Sequence, residues 1–288
     1  MPRQRADRIL VWSLRATSAL AGLLVLMILG FLVFESLDGV RRVGATRFLS
    51  DPGWHPNQGD GSSEFSLLPM IVATLTTTLG AILLAGPVGI LAAVYCRFYA
   101  SERISKLFRR LIELLAGIPS VVYGFWGLVT LVPLIREIAP PGASLAAGVL
   151  VLFLMIVPTV ALLAFAALKD VPKQHLEGAA ALSLSRWSTL RQVVFPSAAS
   201  GLGIALLLGT MRALGETMAV LMVCGNIARV PESLFDPVRT LTANIALELG
   251  YATADHRSVL FVSGLALMIM VVALVVVQDR LQRRASLG

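Results

Sequence analysis

One arginine and one glutamate, Arg212 and Glu216, stand inside an apolar stretch that runs from Ser197 to Cys224. A charge near the centre of a bilayer costs about 2.5 to 3.5 kcal/mol on insertion scales, so it is retained for a partner or a task. Read as one helix, the i, i+4 spacing sets both side chains on one face, about 6 Å apart along the axis. Two chemistries fit that placement. In one, the pair is a structural ion pair that fixes two helices together. In the other, the guanidinium, a planar fork suited to oxyanions, lines an anion path that the carboxylate closes at rest. Thr217, Tyr123 and Ser120 are weaker candidates for lining the same path.

Other chemistries find little support. His55, His175 and His256 are scattered among polar loops and form no metal-ligand spacing. Ser120 follows a proline inside an apolar segment with no nearby His or Asp to activate it. Asp236 and Glu248 read as local caps and solvated contacts. No G-x-x-x-x-G-K-[ST] phosphate loop occurs, so the chain itself is expected to hydrolyse no ATP and to carry no cofactor.

The elements that must position these residues are apolar helices. Of the 288 residues, 57% are hydrophobic and 14% charged, where a soluble domain carries about 25% charge. Apolar windows fall at about 16–34, 68–95, 111–135, 143–168, 197–224 and 258–277. They predict an all-α integral membrane protein of six spans. The first window has an arginine-rich flank but is too long, and lacks the small-residue site, for a cleaved signal, so it reads as a signal anchor. Sixteen of the 24 Lys and Arg fall on the side of the termini and seven on the other, with Arg212 the remaining one. The positive-inside rule therefore makes both termini cytoplasmic. The net charge of +7 reports that orientation rather than a nucleic-acid partner.

The expected organisation is a cytoplasmic amino terminus (1–15), span 1 (16–34), an outer loop (35–67), a transmembrane domain (68–277) with a cytoplasmic loop at 168–196, and a cytoplasmic carboxyl terminus (278–288). Cys96 and Cys224 fall at opposite depths, about 30 Å apart, and read as unbridged apolar fillers. Gly86-Pro-Val-Gly89, Gly117-Ile-Pro119 and Pro158 predict bent helices around a cavity. The basic segment 97–110 is expected on the lipid surface, Trp54 at the interface or over the outer mouth, and a short amphipathic helix over 241–249 near the outer surface.

The loop 168–196 is the most specific soluble feature. Pro172 can start a helix, and two short helices are expected, broken around Ser183-Leu-Ser185. The small residues 178–181 leave a surface that another protein can approach closely, and Trp187 supplies a rigid apolar contact. Here the chain resembles the permeases of ABC importers. Their coupling loop begins Glu-Ala-Ala, with Gly at its seventh position and a hydrophobic-Pro pair ending at the twentieth. Glu177, Gly178, Ala179, Ser183 and Phe195-Pro196 stand in that register. Gly178 replaces the first alanine and Ser183 the glycine. The second change bears on how sharply the loop helices bend, because Ser takes positive φ less readily.

Two longer motifs narrow the resemblance. Glu113-Leu-Leu-Ala-Gly-Ile-Pro-Ser-Val-Val-Tyr-Gly-Phe-Trp-Gly and Arg212-Ala-Leu-Gly-Glu-Thr-Met-Ala-Val are similar to a permease subunit of the bacterial phosphate-specific ABC transporter. The PstC type fits better than the second permease, which usually reads Ala-Pro where this chain has Met218-Ala-Val. Ser233-Leu-Phe-Asp-Pro-Val-Arg-Thr-Leu-Thr-Ala-Asn also fits. The match runs from span 2 to span 6, and the first 65 residues match mainly in length and in Trp54-x-Pro56. The resemblance implies a type I importer permease fold in the inner (cytoplasmic) membrane, with inorganic phosphate as substrate. It implies a second permease as heterodimer partner, two ATPase subunits carrying ATP and Mg, a periplasmic phosphate-binding protein, and surrounding membrane lipid. The ATPase would dock on Glu177, Gly178, Ala179, Ser183, Trp187 and Pro196. Open alternatives are a permease for molybdate, tungstate or sulfate, and a stand-alone secondary transporter, whose inverted halves with paired broken helices are not found. A membrane-embedded enzyme would need clustered acid, base and metal ligands, which the sequence lacks.

Overall fold

Long apolar runs in a solvent without water must satisfy their own backbone groups, and a helix does so within one segment. The computed structural model, which describes residues 2–56 and 63–286, is almost wholly helical. Its candidate spans are Leu10–Val43, Leu68–Tyr99, Ser120–Ile138, Leu145–Lys169, Arg186–Leu214 and His256–Arg280. Six crossings return the chain to its starting side. That side carries both termini and loop 168–196, and is the terminal face; the opposite side is the loop face.

Helix α1 (Pro2–Val43) is far longer than the 16–34 window and packs along α13 (Ala254–Ser286). After α2 (Arg47–Ser50), strands β1 (Trp54–His55) and β2 (Glu64–Phe65) pair antiparallel, Trp54 opposite Phe65. Helix α3 (Leu68–Val94) continues through a π-helical turn to Tyr99. It forms the central bundle with α7 (Leu145–Lys169) and α10 (Phe195–Leu214). Lipid supplies no hydrophobic force between helices, so close backbone approach carries the packing. A Cβ on Gly89 or on Gly209 would lie 2.8 Å from a Val160 methyl, so α3 and α10 both close on α7 at that residue.

Pro87 and Pro158 lie inside helices that stay continuous through them. The third window does break. Helix α4 (Glu102–Ala116) buries none of its residues and carries the i, i+4 ion pairs Glu102–Lys106 and Arg109–Glu113. It is a separate amphipathic helix, so the surface segment extends to Ala116 and the span starts at Ser120, not at 111. Pro119, at φ −59° and ψ 142°, ends the α4 path, and α5 (Ser120–Trp126) begins after it. A π-helical turn, Gly127–Leu131, precedes α6 (Val132–Ile138) and a second, Leu190–Val194, precedes α10. Pro133 and Pro196 follow these turns at two residues' distance. The missing proline N–H and the ring's clash with the preceding turn account for the widened coil.

The second polar segment on the loop face folds back over the start of α7. The first-turn N–H groups of a helix need outside acceptors. Ser144 N donates to Val223 O (3.1 Å), Leu145 N to Asp236 O (2.9 Å) and Ala146 N to Leu234 O (2.7 Å). Helix α12 (Leu241–Glu248) is drawn inward with this segment; Leu241, Thr242, Ala243, Asn244 and Glu248 are buried, where a surface helix was expected. Trp54 is also buried, at 5% exposure, rather than lying at the lipid interface. Its Nε1 donates to Glu248 Oε2 at 2.9 Å, so Glu248 is not the solvated contact its loop position suggests. Cys96 and Cys224 are both free and buried.

Candidate functional site

The depth of Arg212 follows from its helix. Gly209 meets Val160, and Arg212 lies three residues farther along α10, about 4.5 Å beyond it. That places Arg212 level with the middle of α7, at mid-depth. Its side chain is exposed in this chain, however, and not buried.

The expected single helix through 197–224 is two helices. Gly215 N donates to Met211 O (3.1 Å) and Glu216 N to Ala213 O (3.2 Å), which closes the last turn of α10. Helix α11 (Met218–Val223) then starts after Thr217. Glu216 Oε1 accepts from Ala219 N at 3.0 Å and so caps α11. The Glu216 carbonyl accepts from Thr242 Oγ1 at 2.6 Å. These bonds replace the helical ones, and Arg212 and Glu216 therefore share no helix face. Among the described residues no ion pair joins them, so the resting pair drawn from the spacing is not formed. Thr217 is half-buried within the break, its hydroxyl 3.4 Å from Gly215 O.

Helix α5 lies against this break. A Cβ on Gly124 would stand 2.8 Å from Ala219 Cα, a contact with backbone that only glycine permits. The packing brings Tyr123 within electrostatic reach of the Arg212 guanidinium. The Tyr123 hydroxyl donates to Leu115 O at 2.9 Å, bridging the gap between α4 and α5. Ser120, half-buried, sits one turn earlier in α5. The structure thus gathers Arg212, Glu216, Thr217 and Tyr123, with Ser120 at the edge. Beside them is a cavity of about 570 Å³ bordered by Val88 of span 2, Ile118, Tyr123 and Trp126 around span 3, and Pro158 of span 4. The three spans expected to enclose a cavity do border one, but its walls are apolar.

At the terminal face, α8 (Lys173–Ala181) and α9 (Arg186–Thr189) form the two short helices of loop 168–196. Between them Leu184 N donates to Ala179 O (3.0 Å) and Ser183 N to Ala180 O (2.9 Å), the paired bonds of a Schellman turn. Ser183 holds the left-handed position, φ 54°, that glycine usually fills. Ser185 accepts from Ser188 N and caps α9. Ala179 is buried under α8, whereas Glu177, Gly178, Ser183 and Pro196 are exposed. Nothing lies within 4 Å of a Cβ placed on Gly178. Leu182 and Trp187 are 76% and 64% exposed, large apolar side chains beside a small-residue helix face.

Reading the sequence alone misses a buried polar network at the loop face. Glu248 Oε1 accepts from Arg239 Nη1 (2.7 Å), and Glu248 Oε2 lies 2.8 Å from His256 Nε2. Arg239 also donates to Asn244 Oδ1 (3.1 Å) and Asn226 O (2.9 Å). The available signal is a carboxylate and an arginine flanking one short helix in a polar segment.

Comparison with known proteins places this geometry in context. Residues 85–287 match the family model described as binding-protein-dependent transport system inner membrane component. The chain is 40% identical over 235 residues to the probable ABC transporter permease protein YqgH of Bacillus subtilis, covering 80% of this chain and 75% of that one. It is 32% identical over 292 residues to the phosphate transport system permease protein PstC of Haemophilus influenzae, covering 93% and 91%. Among solved structures, an inward-facing MetNI methionine ABC transporter aligns at TM-score 0.58 and 20% identity, over 76% of this chain and 94% of that one; it bears on the fold alone.

Proposed function

The chain belongs to the family of binding-protein-dependent transport system inner membrane components, and on that premise we propose that it carries inorganic phosphate inward as one permease subunit of an ABC importer. It has the type I importer permease fold, is a transporter rather than an enzyme, and resides in the inner membrane. The observation that carries the phosphate reading is Arg212: a guanidinium at mid-depth that pairs with no carboxylate among the described residues, in a chain akin to phosphate permeases.

Phosphate bears between one and two negative charges at neutral pH, and a fork of N–H donors suits its oxygens. The exposed Arg212 faces away from its own bundle, toward the place a second permease would occupy, and an anion passes between the two. Glu216 shapes the break beside that path. Tyr123, Thr217 and Ser120 add hydroxyl donors along it.

The driving force comes from elsewhere. The terminal face is the cytoplasmic one, as the lysine and arginine bias directs. Two ATPase subunits, holding ATP and Mg, grip loop 168–196 through the small face at Gly178 and the apolar tips of Leu182 and Trp187. Closure of the ATPases moves α8 and α9, and the continuous path from α9 through Pro196 into α10 conveys the movement to Arg212. A periplasmic phosphate-binding protein delivers the anion to the loop face.

The test is uptake of radiolabelled phosphate by vesicles holding the assembled complex. ATP-dependent uptake that excess unlabelled phosphate abolishes, and sulfate or molybdate does not, is expected. Competition by molybdate or sulfate in place of phosphate rejects the cargo.

A further inference from the structure

The segment 215–217 is bonded to the last turn of α10 and the first turn of α11, sits beside Arg212 and fixes where α10 stops. Its position is also held from outside. Thr242, in the first turn of α12, donates from Oγ1 to the Glu216 carbonyl at 2.6 Å. That first turn is itself pinned, since Leu241 N donates to Thr74 Oγ1 of α3 at 3.0 Å. Thr240 accepts from Ala243 N and caps the helix.

The other end of α12 is held more firmly still. Glu248 is 6% exposed. Its carboxylate accepts from Trp54 Nε1 at 2.9 Å and from Arg239 Nη1 at 2.7 Å, and faces His256 Nε2 at 2.8 Å. Trp54 belongs to the first loop-face segment, Arg239 to the second, and His256 to the start of α13. Three separate parts of the loop face therefore meet at one side chain. Removing one partner from a buried charged cluster is costly, because the remaining groups keep their desolvation without their bonds. Thr242 and Glu248 lie six residues apart on one rigid helix, about 9 Å end to end.

We infer that α12 is a strut joining the loop-face surface to the break beside Arg212, with Glu248 and Thr242 as its positioning residues. The inference rests on the proposed reading of the loop face as the periplasmic surface on which the binding protein docks. A displacement of the two loop-face segments pulls on Glu248, tilts α12, and moves the Glu216 carbonyl through Thr242. Neither residue touches the anion.

The assembled complex in lipid vesicles tests the strut. ATP hydrolysis is measured with and without phosphate-loaded binding protein, for the wild type, Thr242→Val and Thr242→Ser. In Thr242→Val, basal hydrolysis is unchanged and the stimulated increment falls about tenfold, the factor matching one buried hydrogen bond. Thr242→Ser, which restores the hydroxyl, recovers the increment to within about twofold of wild type. Full stimulation of Thr242→Val, or failure of Thr242→Ser to recover it, overturns the inference. Amide hydrogen exchange gives a second reading that involves no substrate. Glu248→Gln speeds exchange across 214–218 at least about tenfold while 145–169 is unaffected. Unaltered exchange at 214–218 overturns the strut even where phosphate uptake is normal, whereas a failed cargo test leaves the exchange result standing.

Discussion

At the scale of single residues, Arg212 and Ser183 each hold a position that their side chain type makes costly. Arg212 is legible in the sequence because a charge in a long apolar window is retained for a partner or a task, and the structure sets it in the last turn of α10, level with the middle of α7. Its relation to Glu216 was not legible. An i, i+4 pair meets only when the helix continues, and here Glu216 spends one oxygen on Ala219 N and its carbonyl on Thr242. Arg212→Lys keeps the charge but loses the planar fork, so phosphate uptake by the assembled complex should fall about tenfold with subunit assembly unchanged. Uptake equal to wild type would mean that charge alone suffices. Ser183 sits at φ 54° in a Schellman turn whose bonds are otherwise complete. Non-glycine residues pay about 1 kcal/mol or more for that region. Ser183→Gly should therefore slow proteolytic nicking of loop 168–196 by up to about fivefold, since the native turn is relieved of strain even though the unfolded chain gains freedom. Faster nicking would contradict the strain.

At the scale of elements, proline alone proved a poor guide. Pro87 and Pro158 stay inside helices, and Pro119 ends one, although all three lie in apolar windows. The physical difference is the flank. Residues 102–116 are amphipathic, with Arg103, Lys106, Arg109 and Arg110 among them, so that helix lies on a surface and the chain must turn to enter the membrane at Ser120. The break at 215–217 left no comparable mark, because averaging over the window hides one Gly-Glu-Thr. What holds it is tertiary: α5 packs on α11 through Gly124. Gly124→Ala brings a Cβ to 2.8 Å from backbone that has no rotamer to yield, and should cost about 1–3 kcal/mol, read as a lower unfolding temperature of the purified complex. An unchanged temperature would show that α11 is loosely held. The loop-face turn at 232–236 adds a pH dependence. Backbone N–H groups of Glu232 and then Ser233 hold the Asp236 carboxyl below its usual range. The stabilisation is thus present above the ordinary carboxylate pKa of about 4 and is lost as pH falls through the lower folded value. Amide exchange at Ser233 should be slow at pH 6 and faster below about pH 3 relative to the intrinsic rate; an unaltered ratio would exclude this carboxylate as the clasp.

At the scale of the whole molecule, the chain is an importer permease with six candidate spans among its described residues. Six spans and an all-α membrane class were readable from apolar windows, because bilayer thickness fixes helix length, whereas the importer permease fold followed from the resemblance of the longer motifs. The buried Glu248 network and the inward-drawn α12 were not, since they depend on which distant segments meet. The proposed orientation can be checked directly, because Gly178 and Gly250 both stand where a Cβ meets nothing within 4 Å. In intact cells a membrane-impermeant maleimide should label Gly250→Cys at once and Gly178→Cys only after permeabilisation. The reverse pattern would invert the topology and move the ATPase site to the wrong side. Arg212 carries the central claim. Radiolabelled phosphate uptake by vesicles holding the complex with Arg212→Gln, its ATPase subunits shown to be bound and hydrolysing ATP, should drop to the level seen without ATP. Uptake at the wild-type rate in that variant would contradict the claim that the mid-depth guanidinium receives the anion.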